Sequence, residues 1–196
     1  MTKTPTHHRL VELIRRDCLQ FGEFTLASGK KSSYYLDLRK LSLSAEGADL
    51  LAQFILPQLS GIDALGGPEM AAVPIVGAVL SAAGQKSNSL YGPPNIGKLR
   101  GFVVRKEAKD HGAEGEKGYA GDLRRGDHYV LVEDVLTTHA SLFKAAELAQ
   151  IVTGRSPEFC VCVVDRGRSV NPKLSTLLRI RPLLTLEDLG IDPSKD

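Results

Sequence analysis

The residues best suited to chemistry stand together in Tyr129-Val130-Leu131-Val132-Glu133-Asp134-Val135-Leu136-Thr137-Thr138-His139-Ala140-Ser141. A β-branched apolar run ends in two adjacent carboxylates, then a turn of small and hydroxyl-bearing residues, then a helical pattern from Leu142. Such a strand delivers its last side chains to the carboxyl edge of an open α/β sheet, where ligands bind. The turn beyond it exposes main-chain N–H groups at a helix N-terminus, which suits a phosphate. Acids beside a phosphate cradle suit a sugar phosphate: the carboxylates accept from ribose hydroxyls while the amides hold the phosphate. Adjacent strand residues point to opposite faces, so Glu133 and Asp134 serve one ligand only where the strand is ending. The plainer alternative is that the acids, Thr137, Thr138 and Ser141 merely cap the next helix.

A second constellation is basic. Arg105, Lys106, Lys109 and His111 put three fixed positive charges and one titratable ring within a few residues. A solvated charged loop is the usual fate of such a run. Arg166 directly follows an apolar strand pattern, and its guanidinium suits a planar carboxylate gripped at two points. Pairing with Asp165 is the other role open to it.

These strings resemble the type I phosphoribosyltransferases and, among them, the orotate phosphoribosyltransferases. Glu133 to Ser141 resembles the phosphoribosyl-pyrophosphate loop of the superfamily. Arg105-Lys106-Glu107-Ala108-Lys109-Asp110-His111-Gly112 looks like the mobile catalytic loop, Asp165-Arg166 like the orotate-binding pair, and Phe24 to Tyr35 like the N-terminal segment that covers substrate. The matches keep the family's order from about Phe21 to Leu186. The resemblance implies transfer of a 5-phosphoribosyl group from phosphoribosyl pyrophosphate to orotate, giving orotidine 5-phosphate and pyrophosphate in pyrimidine biosynthesis. It implies Mg2+ as cofactor, carried mainly by the pyrophosphate with no direct protein ligand. Contacts to phosphoribosyl pyrophosphate are implied for Arg105, Lys106, Lys109, His111, Glu133, Asp134, Val135, Leu136, Thr137, Thr138, His139, Ala140 and Ser141. Thr137, Arg166 and Tyr35 are implied for orotate. Catalysis would fall to Lys106, Lys109 and His111, since cations aimed at departing pyrophosphate stabilise the transition state more than the ground state. The family pattern also implies that these three reach into a neighbouring subunit's site, making a homodimer the working unit.

The chain departs from the family at the phosphate turn. His139 stands where glycine is usual, and Ala140 where a second glycine or small residue follows. Histidine is among the side chains better tolerated at positive φ. The ring either adds an N–H to the phosphate or crowds it. The exchange His139→Gly is expected to keep or improve affinity for phosphoribosyl pyrophosphate unless the ring is itself a ligand. Ala27 and Ala71 occupy positions where some members carry lysine.

The elements that must position these residues alternate. His8 to Gln20 has helical spacing, with Gly22 beyond it; Ser44 can cap a helix with Leu50, Leu51, Phe54 and Ile55 inward. Helices are also expected at about Ile75 to Ala83 and at Ser141 to Val152. Strands are expected at Tyr34 to Leu38, Ala64 to Pro68, Phe102 to Val104, Tyr129 to Val132 and Phe159 to Val164. Strands alternating with helices imply an α/β fold, a doubly wound and mostly parallel sheet flanked by helices. The resemblance adds a small N-terminal hood over about residues 1–40 and a mobile catalytic loop over 106–120. That last segment is charged, glycine-rich and too poor in large apolar side chains to bury itself.

The bulk composition fits this reading. The chain has 196 residues, 42% hydrophobic and 24% charged, which suits one domain spanning 1–196 with a sizeable core. A net charge of +2 gives no general argument for nucleic acid or an anionic membrane. Cys18, Cys160 and Cys162, an odd count without a secretory leader, fit a reducing cytoplasm. Cys160 and Cys162 alternate on a strand and read as buried small hydrophobes. His7 and His8 are expected in a loose terminus and His128 near a strand start. Two other functions compete: a non-catalytic regulator binding phosphoribosyl pyrophosphate, and a transferase for another base.

Overall fold

The structure, a computed structural model, describes residues 4–25, 29, 31–87, 96–106, 118–137, 139–166 and 178–192. Thr4 opens helix α1 (Pro5–Leu13): its hydroxyl accepts from the His7 N–H at 3.2 Å, and Pro5 sits in the first turn where no donor is missed. His7 and His8 therefore belong to a helix rather than to a loose end. One wide turn, Ile14–Cys18, continues the helix, and the chain becomes extended at Leu19. The expected helix thus stops before Gln20. Strand β1 (Leu19–Thr25) pairs antiparallel with β2 (Lys31–Leu36), Leu19 opposite Leu36 and Phe21 opposite Tyr34. Cross-strand pairing overrides a helical spacing that runs on through Leu19. A short helix α2 (Arg39–Ser42) leads into α3 (Ala45–Ile55), whose N-cap Ser44 accepts from the Gly47 N–H at 3.0 Å.

Strands β3 (Ala64–Pro68), β4 (Arg100–Val104), β5 (Tyr119–Gly121), β6 (Tyr129–Leu136), β7 (Phe159–Asp165) and β8 (Ile180–Thr185) form one sheet in the order β5-β4-β3-β6-β7-β8. All neighbours are parallel except β5, which runs antiparallel to β4. Helices α4 (Ala72–Ser87) and α5 (Ala140–Thr153) follow β3 and β6. β5 and β8 lie outside the expected strands. Tyr119 and Ala120, assigned by sequence to the mobile loop, are held by pairing with Val104 and Val103 at the sheet edge.

Alternation along the central strands splits the core. Val130, Val132, Val161 and Val163 face α1, α3 and α4, while Tyr129, Leu131, Cys160 and Cys162 pack with Leu142, Ala145 and Ala149 of α5. Gly67 at the end of β3 must be glycine, because a Cβ there would strike the carbonyl of Val132 and the methyl of Ala72.

Candidate active site

The chain runs from β3 outward to β4, then returns across β3 to β6 and continues outward to β7 and β8. Strand order reverses between β3 and β6, which opens a crevice at their carboxyl ends. Glu133 and Asp134 stand there, but inside β6 rather than at its last residue, since the strand runs on to Leu136. Glu133 is 6% exposed and Asp134 half-buried. The Ser141 hydroxyl, in the first turn of α5, donates to Glu133 Oε2 at 2.9 Å. The Val135 N–H donates to Asp134 Oδ1 at 2.6 Å. Neither acid forms an ion pair among the described residues. Burial, with the charge of Asp134 added, pushes Glu133 up to about 7. Burial also raises Asp134, against a lowering pull from its Val135 hydrogen bond and from Arg39. Two such carboxyls want hydrogen-bond donors, and vicinal ribose hydroxyls are donors of the right kind.

His139 occupies the N-cap of α5 with φ 64° and ψ 0°. It thus adopts the left-handed backbone for which glycine is usual, and it is the sole non-glycine residue with positive φ among those described. Its carbonyl accepts from the Phe143 N–H at 2.8 Å, starting the helix. The ring is 3% exposed, and Nδ1 has no hydrogen-bond partner among the described residues. Burial lowers its pKa, with Asp165 pulling the other way. Thr137 is half-buried, Ala140 and Ser141 are exposed at the turn's surface, and Thr138 lies outside the described residues. Val135 and Leu136 contribute the strand end that carries the turn.

Arg166 follows β7 beside this turn. Its N–H donates to the Leu136 carbonyl at 3.1 Å, tying the ends of β6 and β7 together. Its guanidinium lies 4.6 Å from the ring centroid of Tyr34, a fully buried residue of β2. The β1–β2 pair therefore touches the arginine through Tyr34, whereas Tyr35 points the other way, 40% exposed against Phe24. Arg105 and Lys106 follow β4 at the same edge. The Arg105 N–H donates to Gly118 at 3.0 Å, the Lys106 N–H to Glu69 Oε1 at 2.8 Å, and Lys144 Nζ to the Lys106 carbonyl at 2.9 Å. Lys109 and His111 lie outside the described residues.

Sequence reasoning missed four residues here. Tyr34 was indistinguishable from Tyr35 except by strand parity. Arg39 grips Asp37 through Nε at 2.7 Å and Nη2 at 2.9 Å while its charge reaches Asp134, and only the Asp-Leu-Arg spacing hinted at the pair. Glu69 and Lys144 carry no local signal, because their common partner is the main chain of Lys106.

Among the described residues no group of three or more His, Cys, Asp or Glu side chains is arranged to hold a metal ion. Glu133 and Asp134 offer hard oxygen atoms that fit Mg2+ sharing phosphate oxygens and water.

A reversal crevice bearing paired acids, an amide turn at a helix start and a basic stretch after β4 is the arrangement expected of a type I phosphoribosyltransferase. No family model matches the chain. The orotate phosphoribosyltransferase of Rhodopirellula baltica is 35% identical over 193 residues, covering 94% of each chain. The crystal structure of Mycobacterium tuberculosis orotate phosphoribosyltransferase with Fe(III) dicitrate has a TM-score of 0.76 at 29% identity, covering 95% of this chain and all (100%) of that one. The same enzyme in complex with phosphoribosyl pyrophosphate has a TM-score of 0.71 at 27% identity, with the same coverage of 95% and 100%. The chain belongs to the orotate phosphoribosyltransferase family.

Proposed function

We propose that the chain transfers the 5-phosphoribosyl group of phosphoribosyl pyrophosphate to orotate, releasing pyrophosphate. The observation that carries this reading is convergence: the acids of β6, the amide turn opening α5, Arg166 and the stem of the basic loop meet at one edge of the sheet. In this reading Glu133 and Asp134 accept from the ribose hydroxyls. Main-chain amides from Thr137 to Ser141 hold the 5-phosphate, with Thr137 also bordering the base. Arg166, stacked on Tyr34, orients the orotate carboxylate, and Tyr35 lines the hood. Bond breaking at the anomeric carbon leaves positive character on the ribose ring and negative charge on pyrophosphate. Lys106, with Lys109 and His111 of the loop, stabilises that departing charge. Bound Mg2+ would neutralise part of the pyrophosphate charge.

The working unit is a homodimer in which each subunit lends its loop to the other. Its support is an apolar surface beside the loop stem, where Met70 is 74% and Val73 44% exposed. A cytoplasmic setting is supported by three buried thiols, none of them in a disulfide. No helix among the described residues is long and apolar enough to cross a membrane.

The deciding experiment incubates purified protein with orotate, phosphoribosyl pyrophosphate and Mg2+ and follows the loss of orotate absorbance. Folded protein at high concentration that consumes neither substrate defeats the assignment. Turnover of a purine base instead of orotate would move it to another base.

A further inference from the structure

Both main-chain polar groups of Lys106 are held by side chains from distant elements. Its N–H donates to Glu69 Oε1 at 2.8 Å, and its carbonyl accepts from Lys144 Nζ at 2.9 Å. The N–H belongs to the peptide plane before Cα and the carbonyl to the plane after it. Those planes turn only through φ and ψ, so pinning both fixes the direction in which the Lys106 side chain leaves the backbone. Each bond has one ionised partner and is stronger than a neutral bond.

The origins of the two clamps matter as much as their lengths. Glu69 comes from the turn after β3, where its own N–H donates to the Val104 carbonyl at 2.9 Å. Lys144 comes from α5, just past the turn that starts at His139. Segments that follow β3 and β6 thus grip the residue that opens the basic string, one at its N–H and one at its carbonyl. The clamp's own charges are opposite, so it adds no net repulsion toward a polyanion.

We propose that Glu69 and Lys144 are positioning residues for Lys106, holding its backbone so that the ammonium is aimed at the pyrophosphate departing in the neighbouring subunit's site before substrate binds. The inference rests on the role given to Lys106 above. Fixing one residue's backbone in advance is worth about a tenfold rate factor. The gain belongs to the step in which charge develops, not to binding of the base.

The test compares Glu69→Ala and Lys144→Met with the conservative Glu69→Gln and Lys144→Arg. Each disruptive variant should lower kcat about tenfold while the KM for orotate stays within about twofold. The conservative pair should recover most of the loss, Gln keeping an oxygen acceptor and Arg a charged donor. The double variant Glu69→Ala/Lys144→Met should be little worse than either single one, because one freed plane already loses the aim. Exchange of the Lys106 amide hydrogen should quicken in both single variants. Wild-type kcat and unchanged exchange in both overturn the proposal, as does a double variant whose losses simply multiply. If the unmodified protein turns over no orotate, the proposed function has failed instead, and the exchange measurement still decides whether the clamp exists.

Discussion

Asp127, two residues before β6, and Glu133, in its carboxyl half, are carboxylates each 6% exposed, and their surroundings differ completely. Asp127 has both oxygens occupied: Oδ1 accepts from Arg100 Nη2 at 2.7 Å and Oδ2 from the Arg124 N–H at 2.8 Å. Glu133 has one hydroxyl, from Ser141, and a like charge beside it in Asp134. Burying a charge is costly unless it is paired and hydrogen-bonded. The end of the strand that only has to fold satisfies its acid. The end that has to bind leaves its acid wanting donors, and a pKa displaced by burial and a like charge inside a cleft marks a functional site.

The sharpest way to break this contrast is to neutralise each acid in turn. Glu133→Gln should reduce kcat/KM for phosphoribosyl pyrophosphate by about a hundredfold or more, as expected when a charged ligand to the reacting sugar is lost. The same exchange should stabilise the ligand-free protein at pH 8, since the raised carboxyl is a burden once ionised. A rise from 4.5 to about 7 corresponds to about 3 kcal/mol in unfolding free energy. Loss of activity together with loss of stability would contradict the comparison. Asp127→Asn should do the reverse, costing about 2–3 kcal/mol in denaturant unfolding by stranding Arg100, with kcat unchanged in the folded fraction.

The pH dependence sharpens the same point. Native Glu133 holds its proton between pH 4.5 and about 7, a range in which the unfolded chain has released it. The unfolded state then binds fewer protons, so the ligand-free protein should lose stability as pH rises through that window. The Glu133→Gln variant should lack this slope. Binding of the magnesium complex of phosphoribosyl pyrophosphate should release up to about one proton near pH 7, measurable by calorimetry in buffers of differing ionisation enthalpy. Equal heats in all buffers would show that binding releases no proton and would overturn this expectation.

The smallest effect is expected at His139. The backbone already has φ 64°, so His139→Gly leaves the turn as it is and should keep affinity for phosphoribosyl pyrophosphate within about threefold, or improve it. A loss beyond tenfold, rescued by His139→Asn, would identify a side-chain N–H at this position as a ligand.

Most of the site was legible because its parts are local strings. Glu133 through Ser141 announce themselves as a strand, a turn and a helix start, and Arg166 follows an apolar run that is a strand. The limits of the elements were less legible. The helix expected through Gln20 gives way to β1 because Leu36 and Tyr34 pair with it. Tyr119 to Gly121, too polar to look structured, is held by an edge pairing with β4. β8 likewise gains its strand character from β7. Pairing partners lie far along the chain, and no window of neighbouring residues contains them.

The order of residue types along the chain determined that strands would alternate with helices, that two acids would reach a sheet edge, and that a cationic string would lie between β4 and β6. Periodicity and turn chemistry act over a few residues and can be read without a fold. Tertiary structure alone decided that Tyr34 rather than Tyr35 meets Arg166, that Arg39 stands near Asp134, and that Glu69 and Lys144 converge on one peptide. It also decided that Asp127 is satisfied and Glu133 is not. Those outcomes depend on which segments the sheet brings side by side and how far it excludes water, and both are properties of the packed whole.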